Sequence, residues 1–203
     1  MSTNGIEKIH NVWPLIVGEF FNHEHILIKD ELINFFKEYE KKLPEGNEQL
    51  RDKNYVGNYD LYQSKYNLLA ENENNKILKE VFKFIAKSIL TMSKKANAEE
   101  LENLKNNNPK FNVKINESWF IRYNKAGFIL PHMHGSCSWC CVYYVQIGKD
   151  ASKKNGSTFF LRPYLGNSLK EEFGGKYLKS NTAVFNAEEG KLLVWPNFLY
   201  HGS

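Results

Sequence analysis

Residues 118–147 read SWFIRYNKAGFILPHMHGSCSWCCVYYVQI. Two runs rich in β-branched and aromatic residues, Ser118 to Tyr123 and Trp139 to Ile147, flank a shorter apolar run, Phe128 to Leu130. Asn124 to Gly127 and Gly135-Ser136 stand between them and read as turns. The pattern continues outward. Val113 and Ile115 precede it, and Ser157 to Leu161, Thr182 to Phe185 and Lys191 to Trp195 follow. Further turn signals fall at Asn155-Gly156, Gly166-Asn167, Gly174-Gly175 and Glu189-Gly190. Short strands at this spacing, with no helices between them, predict a sandwich or jelly roll.

Upstream of Phe111 the period is helical. Ile28 to Lys42 carries Leu32, Ile33, Phe35, Phe36 and Tyr39 on one face, with Asp30 placed to cap it. Asn75 to Lys95 carries a broad apolar face that must pack on something, and Ala98 to Asn106 predicts a third helix. Leu43 to Gly57 and Asn106 to Lys110 read as exposed connections. The expectation is a mainly β chain with N-terminal helices covering the outer face of one sheet. A helical region, 1–110, packs on a strand-rich core, 111–203, as one compact domain.

Composition narrows the function. The chain has 203 residues, of which 42% are apolar, so it can build a core and is not disordered. No run of 18 apolar residues occurs, and Met1 to Asn11 lacks the pattern of a signal peptide. Three Cys, two of them adjacent, make a poor disulfide framework and point to a reducing compartment, the cytoplasm. Only Arg51, Arg122 and Arg162 are Arg among 27 basic residues, so the net charge of +4 reads as Lys-rich surface. It does not read as a nucleic-acid stripe, and nothing suggests a membrane partner. The apolar face of Asn75 to Lys95 could serve a homodimer or the domain's own core.

Three of the six His lie in the strand half: His132 and His134 in PHMHG, and His201 in FLYHGS. On a strand, residues i and i+2 share a face, so His132 and His134 can converge. A third ligand from a distant strand would complete a facial metal site with open positions. An isolated His-x-His near a turn is more often a pair of rim residues. His23 and His25 form the same pattern with no evident third partner, and read as a surface or helix-entry pair.

The surroundings of the second pair distinguish it. Trp119, Gly127, His132-x-His134, Val142-Tyr143-Tyr144, Gly156 to Phe160 and Gly190 to His201 occur in an order that resembles the Fe(II)/2-oxoglutarate-dependent oxygenases. They are most similar to a prolyl-hydroxylase-like group of uncharacterised hydroxylases from marine bacteria and phages, for which the host cytoplasm is the implied location. Val56 to Ser64, VGNYDLYQS, also looks like that group's N-terminal region. The resemblance implies a cupin-like jelly roll, the double-stranded β-helix. It implies Fe(II) held by His132, His134 and His201, with His134 standing where most of the superfamily has Asp or Glu. It implies 2-oxoglutarate as cosubstrate, near Tyr123 and Tyr144, and hydroxylation of a small-molecule or macromolecular substrate coupled to decarboxylation to succinate. Only one of Tyr143 and Tyr144 can line the pocket, since neighbours on a strand face opposite ways.

Trp139 and Arg162 are candidates for the substrate mouth, and Trp195 reads as core. Alternation would turn Arg122 away from the Tyr123 side. The superfamily's usual carboxylate-binding Arg lies on the strand after the distal His, a strand this sequence does not contain. The expectation is therefore a shortened chain lacking its last strand, with a sheet edge left unpaired beside His201. Two other readings compete: a non-catalytic jelly roll or inactive relative, and a zinc site using Cys137 and Cys140 together with His132 or His134. Against zinc, Cys-x2-Cys overlapping a strand would point its thiols to opposite faces.

Overall fold

The computed structural model describes residues 15–47, 57–103, 110–152, 155–163 and 181–203. The elements run β1 (Gly18–Phe21), α1 (His25–Lys42), β2 (Asn58–Gln63), α2 (Leu68–Glu71), α3 (Lys76–Ala96), α4 (Ala98–Asn103) and β3 (Ile121–Ile129). Then come β4 (Trp139–Tyr143), β5 (Thr158–Leu161), β6 (Thr182–Phe185), β7 (Lys191–Pro196) and β8 (His201–Gly202). They form three sheets, ordered β1-β7-β4, β2-β3 and β6-β5-β8, with every named pair antiparallel. The described residues are mainly β with a few helices and contain no closed barrel.

Strand β7 organises the layers because its six residues are buried on both faces. Leu192 and Val194 point outward and join Leu32 and Tyr39 of α1 with Leu78, Val81, Ile85 and Met92 of α3. Leu193 and Trp195 point inward and join Phe160 of β5 and Leu199. Alternation divides β4 in the same way. Trp139, Cys141 and Tyr143 face the helices, while Cys140, Val142 and, just past the strand, Tyr144 face β5. The apolar face of α3 thus packs on the chain's own helices and sheet. Among the described residues no helix is long and apolar enough to cross a membrane.

Several elements differ from the sequence reading. Helix α1 starts at His25, so Asp30 lies inside the helix rather than at its cap. Asn22 turns the chain ahead of the helix: its Oδ1 accepts from Glu24 N at 3.1 Å and its carbonyl from His25 N at 3.1 Å. Helix α3 starts as expected, with Asn75 Oδ1 accepting from Leu78 N at 3.0 Å. Strands β1 and β2 and helix α2 lie in the half read as helical, each too short to show a period. Val113 and Ile115 form no strand. Residues 104–109 and the turns at 166–167 and 174–175 lie outside the described residues.

The largest difference is at Asn124 to Gly127, which is no turn: β3 runs through it. Its partner β2 carries an irregularity between Tyr59 and Leu61, where Asp60 has φ 46°. The Asp60 carboxylate takes the Asn124 side-chain amide at 2.7 Å and the Ala126 N–H at 3.4 Å. A Cβ on Gly127 would lie 2.5 Å from the Asp60 carbonyl, so glycine serves close approach of two backbones here.

Candidate metal centre

One antiparallel bridge brings His132 to His201 across 69 positions of chain. Each N–H donates to the other's carbonyl at 2.9 Å, so both side chains leave the same face. His134 N donates to Asn197 O at 3.1 Å, which brings the second half of the His-x-His pair to the turn before β8. The three rings then meet. Their centroids lie 4.4 Å apart for His132 and His201, 4.9 Å for His132 and His134, and 5.1 Å for His134 and His201. One nitrogen from each ring falls within 4.8 Å of the others, and among the described residues this is the one cluster of three or more metal-ligating side chains.

Hydrogen bonds fix which nitrogens face inward. His201 Nδ1 donates to Leu199 O at 2.9 Å, and His132 Nδ1 donates to Leu130 O at 2.9 Å. A carbonyl can only accept, so each Nδ1 carries a proton and Nε2 is the nitrogen left to face the cluster. His201 Nε2 lies 3.3 Å from His134 Nε2. Burial, then the two neighbouring imidazoles, holds the pKa of His201 down to about 4; burial, then His132, lowers that of His134. Neutral imidazoles oriented by backbone carbonyls are the form in which histidine ligates a metal. No Asp or Glu stands in the cluster, so the donor set suits a transition metal rather than magnesium or calcium.

Residues 117–203 match the family described as "Putative 2OG-Fe(II) oxygenase". No curated protein matches the chain. The matched segment holds all three His, and the motif order read from the sequence lies largely within it. The 2OG-Fe(II) oxygenase resemblance therefore rests on the family match and on the geometry of the cluster.

The remaining site residues divide by face. Tyr144 turns inward, its hydroxyl 2.6 Å from Thr158 Oγ1, while Tyr143 turns to the helices and meets His25 and Asn22. Tyr123 hydrogen-bonds Ser203 Oγ, two residues past His201. Desolvation pushes its phenol up to about 12, with the Tyr144 phenol adding to the rise. Arg162 follows Phe160 by two residues on backbone still paired to Asn181, and its buried Nη1 has no hydrogen-bond partner among the described residues. Arg122 turns away from Tyr123 and binds the Glu40 carboxylate through Nε and Nη2.

Trp139 does not join the cluster. Because Tyr144 faces inward, every second residue back from Tyr143 must face outward, and Trp139 packs against the helical layer. Trp195 is the residue the sequence reading left in the core but the structure sets against the site. Its ring centroid lies 4.6 Å from that of His201, and its buried Nε1 has no partner among the described residues. Period two from Leu193 carries that signal. The unpaired edge expected beside His201 is absent. Strand β8 pairs with β5 on one side, and Ile129 and His132 take the backbone of Ser203 and His201 on the other.

Proposed function

We propose that the protein is an Fe(II)/2-oxoglutarate-dependent dioxygenase that hydroxylates its substrate, with His132, His134 and His201 as the iron ligands. The inward convergence of three imidazoles carries the reading, and the family match over residues 117–203 supports it. Two facing sheets, β1-β7-β4 and β6-β5-β8, with helices on one outer face support a double-stranded β-helix as the underlying architecture. When bound, iron and 2-oxoglutarate would supply the oxidising chemistry, coupling decarboxylation to succinate with hydroxylation.

The chain's own residues bind, orient and exclude water. Burial raises the pKa of Tyr123 and Tyr144, so both phenols stay protonated at neutral pH and can donate to a carboxylate or ketone oxygen. Arg162 offers one desolvated guanidinium nitrogen with no partner among the described residues, and would serve an anionic group of cosubstrate or substrate. Phe160 and Trp195 pack on His201 and keep its ring dry. With three imidazoles and no carboxylate, the ligand set leaves the metal's charge uncompensated, which favours binding of an anionic cosubstrate. The absence of a membrane-spanning helix among the described residues and the three free Cys support a cytoplasmic enzyme.

The test is spectroscopic. Anaerobic protein given Fe(II) and then 2-oxoglutarate should develop the weak visible charge-transfer band of an iron-keto-acid chelate. Protein that retains Fe(II) yet shows no band and consumes no 2-oxoglutarate would overturn the assignment.

A further inference from the structure

The three Cys take no part in the histidine cluster, yet two of them meet. Cys137 lies ahead of β4, in the bend formed by Gly135 and Ser136, where Ser136 has φ 57°. The bend removes the alternation that would set the thiols on opposite faces. Cys137 Sγ stands 3.6 Å from Cys140 Sγ. Among the described residues no third ligand joins them, so the pair is not a zinc site.

The two sulfurs look out on different parts of the molecule. Cys137 walls an open cleft of about 620 Å³ together with Ile89 and Ser93 of α3, so a small oxidant can reach it. Cys140 faces inward and pairs across the sheet with Trp195, whose ring touches His201. Cys141 is turned to the helical layer, and burial pushes its thiol up to about 12. It leaves the opposite face of β4 from Cys140.

We propose that Cys137 and Cys140 form a reversible disulfide site, oxidised from the cleft, whose closure is felt at the three-histidine cluster. With peroxide as oxidant, the Cys137 sulfur attacks one peroxide oxygen, the O–O bond breaks, and a sulfenic acid and water result. The Cys140 sulfur then attacks that sulfur, the S–O bond breaks, and a second water leaves as the S–S bond forms. Two thiols give up two electrons and two protons, peroxide accepts both, and a dithiol reductant reverses the change. Burial, then the Cys137 thiol, raises the pKa of Cys140 and keeps it protonated, so the sulfur on the cleft, Cys137, is the one the oxidant meets first. A disulfide needs the sulfurs about 1.5 Å closer than their present 3.6 Å. Since β4 is held by β7, closure falls on the bend, which begins directly after His134 and whose Ser136 carbonyl accepts from Asn116 Nδ2 at 2.7 Å.

The disulfide stands on sulfur geometry alone; its effect on the cluster rests on the metal reading given above. Metal-free protein is treated with graded hydrogen peroxide, alkylated in denaturant, and cleaved after Trp139, which separates Cys137 from Cys140. The expected product is a linked pair of fragments lighter by two hydrogens, with Cys141 alkylated and the link lost on reduction. Cys141→Ser should keep the link and Cys140→Ser should abolish it. A link from Cys137 to Cys141, a link between chains, or full alkylation of Cys137 and Cys140 after peroxide would overturn the site. In the second arm, Co(II) should bind the oxidised protein severalfold more weakly than the reduced protein. Equal affinities would overturn the coupling. Failure of the reduced protein to bind Co(II) would overturn the metal reading and the coupling together, while the mapping still decides the disulfide.

Discussion

His23-x-His25 and His132-x-His134 are the same motif with different outcomes. The first falls where a helix begins: His23 is exposed, and His25 turns inward as the first residue of α1, its Nδ1 2.8 Å from the Tyr143 hydroxyl. The second falls on extended backbone that meets β8, and both rings converge with His201. A spacing of two places side chains together only on an extended backbone, and ligation further needs a third residue delivered by another strand. At His25 the neighbours are a phenol, Asn22 and a glycine, Gly190, whose missing Cβ leaves room for the imidazole. At His132 the neighbour is another histidine.

The comparison breaks most directly on metal affinity. His132→Ala and His201→Ala should each lower Co(II) affinity more than about 100-fold, because removing a ligand costs at least as much as losing its orienting partner. His23→Ala and His25→Ala should leave it unchanged in an equilibrium titration. An equal loss from His25→Ala would mean that the two motifs are not distinct in kind.

Acid should expose the second region. The folded pKa of His201 lies near 4 against an ordinary 6.5, so the unfolded chain binds the extra proton first. This contribution to stability is complete above pH 6.5 and is lost as pH falls toward 4. For metal-free protein the loss should reach about 3 kcal/mol. Urea melts across that range should show it, and His201→Gln should flatten the profile. A flat wild-type profile would contradict the burial of a neutral ring. His25 is also held below its ordinary pKa, by desolvation first, and adds to the loss with the same sign.

The first region should answer in stability alone. His25→Ala removes a buried ring bonded to Tyr143 and should cost about 2 kcal/mol, with metal affinity intact. His23→Ala, at an exposed position, should stay within about 0.5 kcal/mol. Tyr123→Phe and Tyr144→Phe should each weaken 2-oxoglutarate binding by about 5-fold through one lost hydrogen bond, without altering Co(II) affinity. A larger effect on the metal than on the cosubstrate would place these phenols elsewhere in the chemistry.

The site was more legible in sequence than the fold around it. Three histidines and the strand period at 182–185 and 191–195 could be read directly, because local alternation and burial on β7 agree. The inward turn of Tyr144 carried Trp139 outward by the same alternation, so the error there was one of parity that the sequence already contained. Gly127 could not be read. A glycine marks both turns and close backbone approach, and only the irregularity at Asp60 on a strand more than 60 residues away decides between them. Cys137 was hidden for a related reason: one bend ahead of β4 reverses the facing that strand spacing implies. Strands of four residues, such as β1, present two side chains per face and therefore no period.

The central claim is that three imidazoles share one metal ion. X-ray absorption at the iron edge, recorded on anaerobic protein loaded with one equivalent of Fe(II), counts imidazole rings around the metal through their outer-shell scattering. Three rings per iron, falling to two in His134→Ala, is the expected result. Two rings or fewer in the unaltered protein, or a count that His134→Ala leaves unchanged, would contradict it.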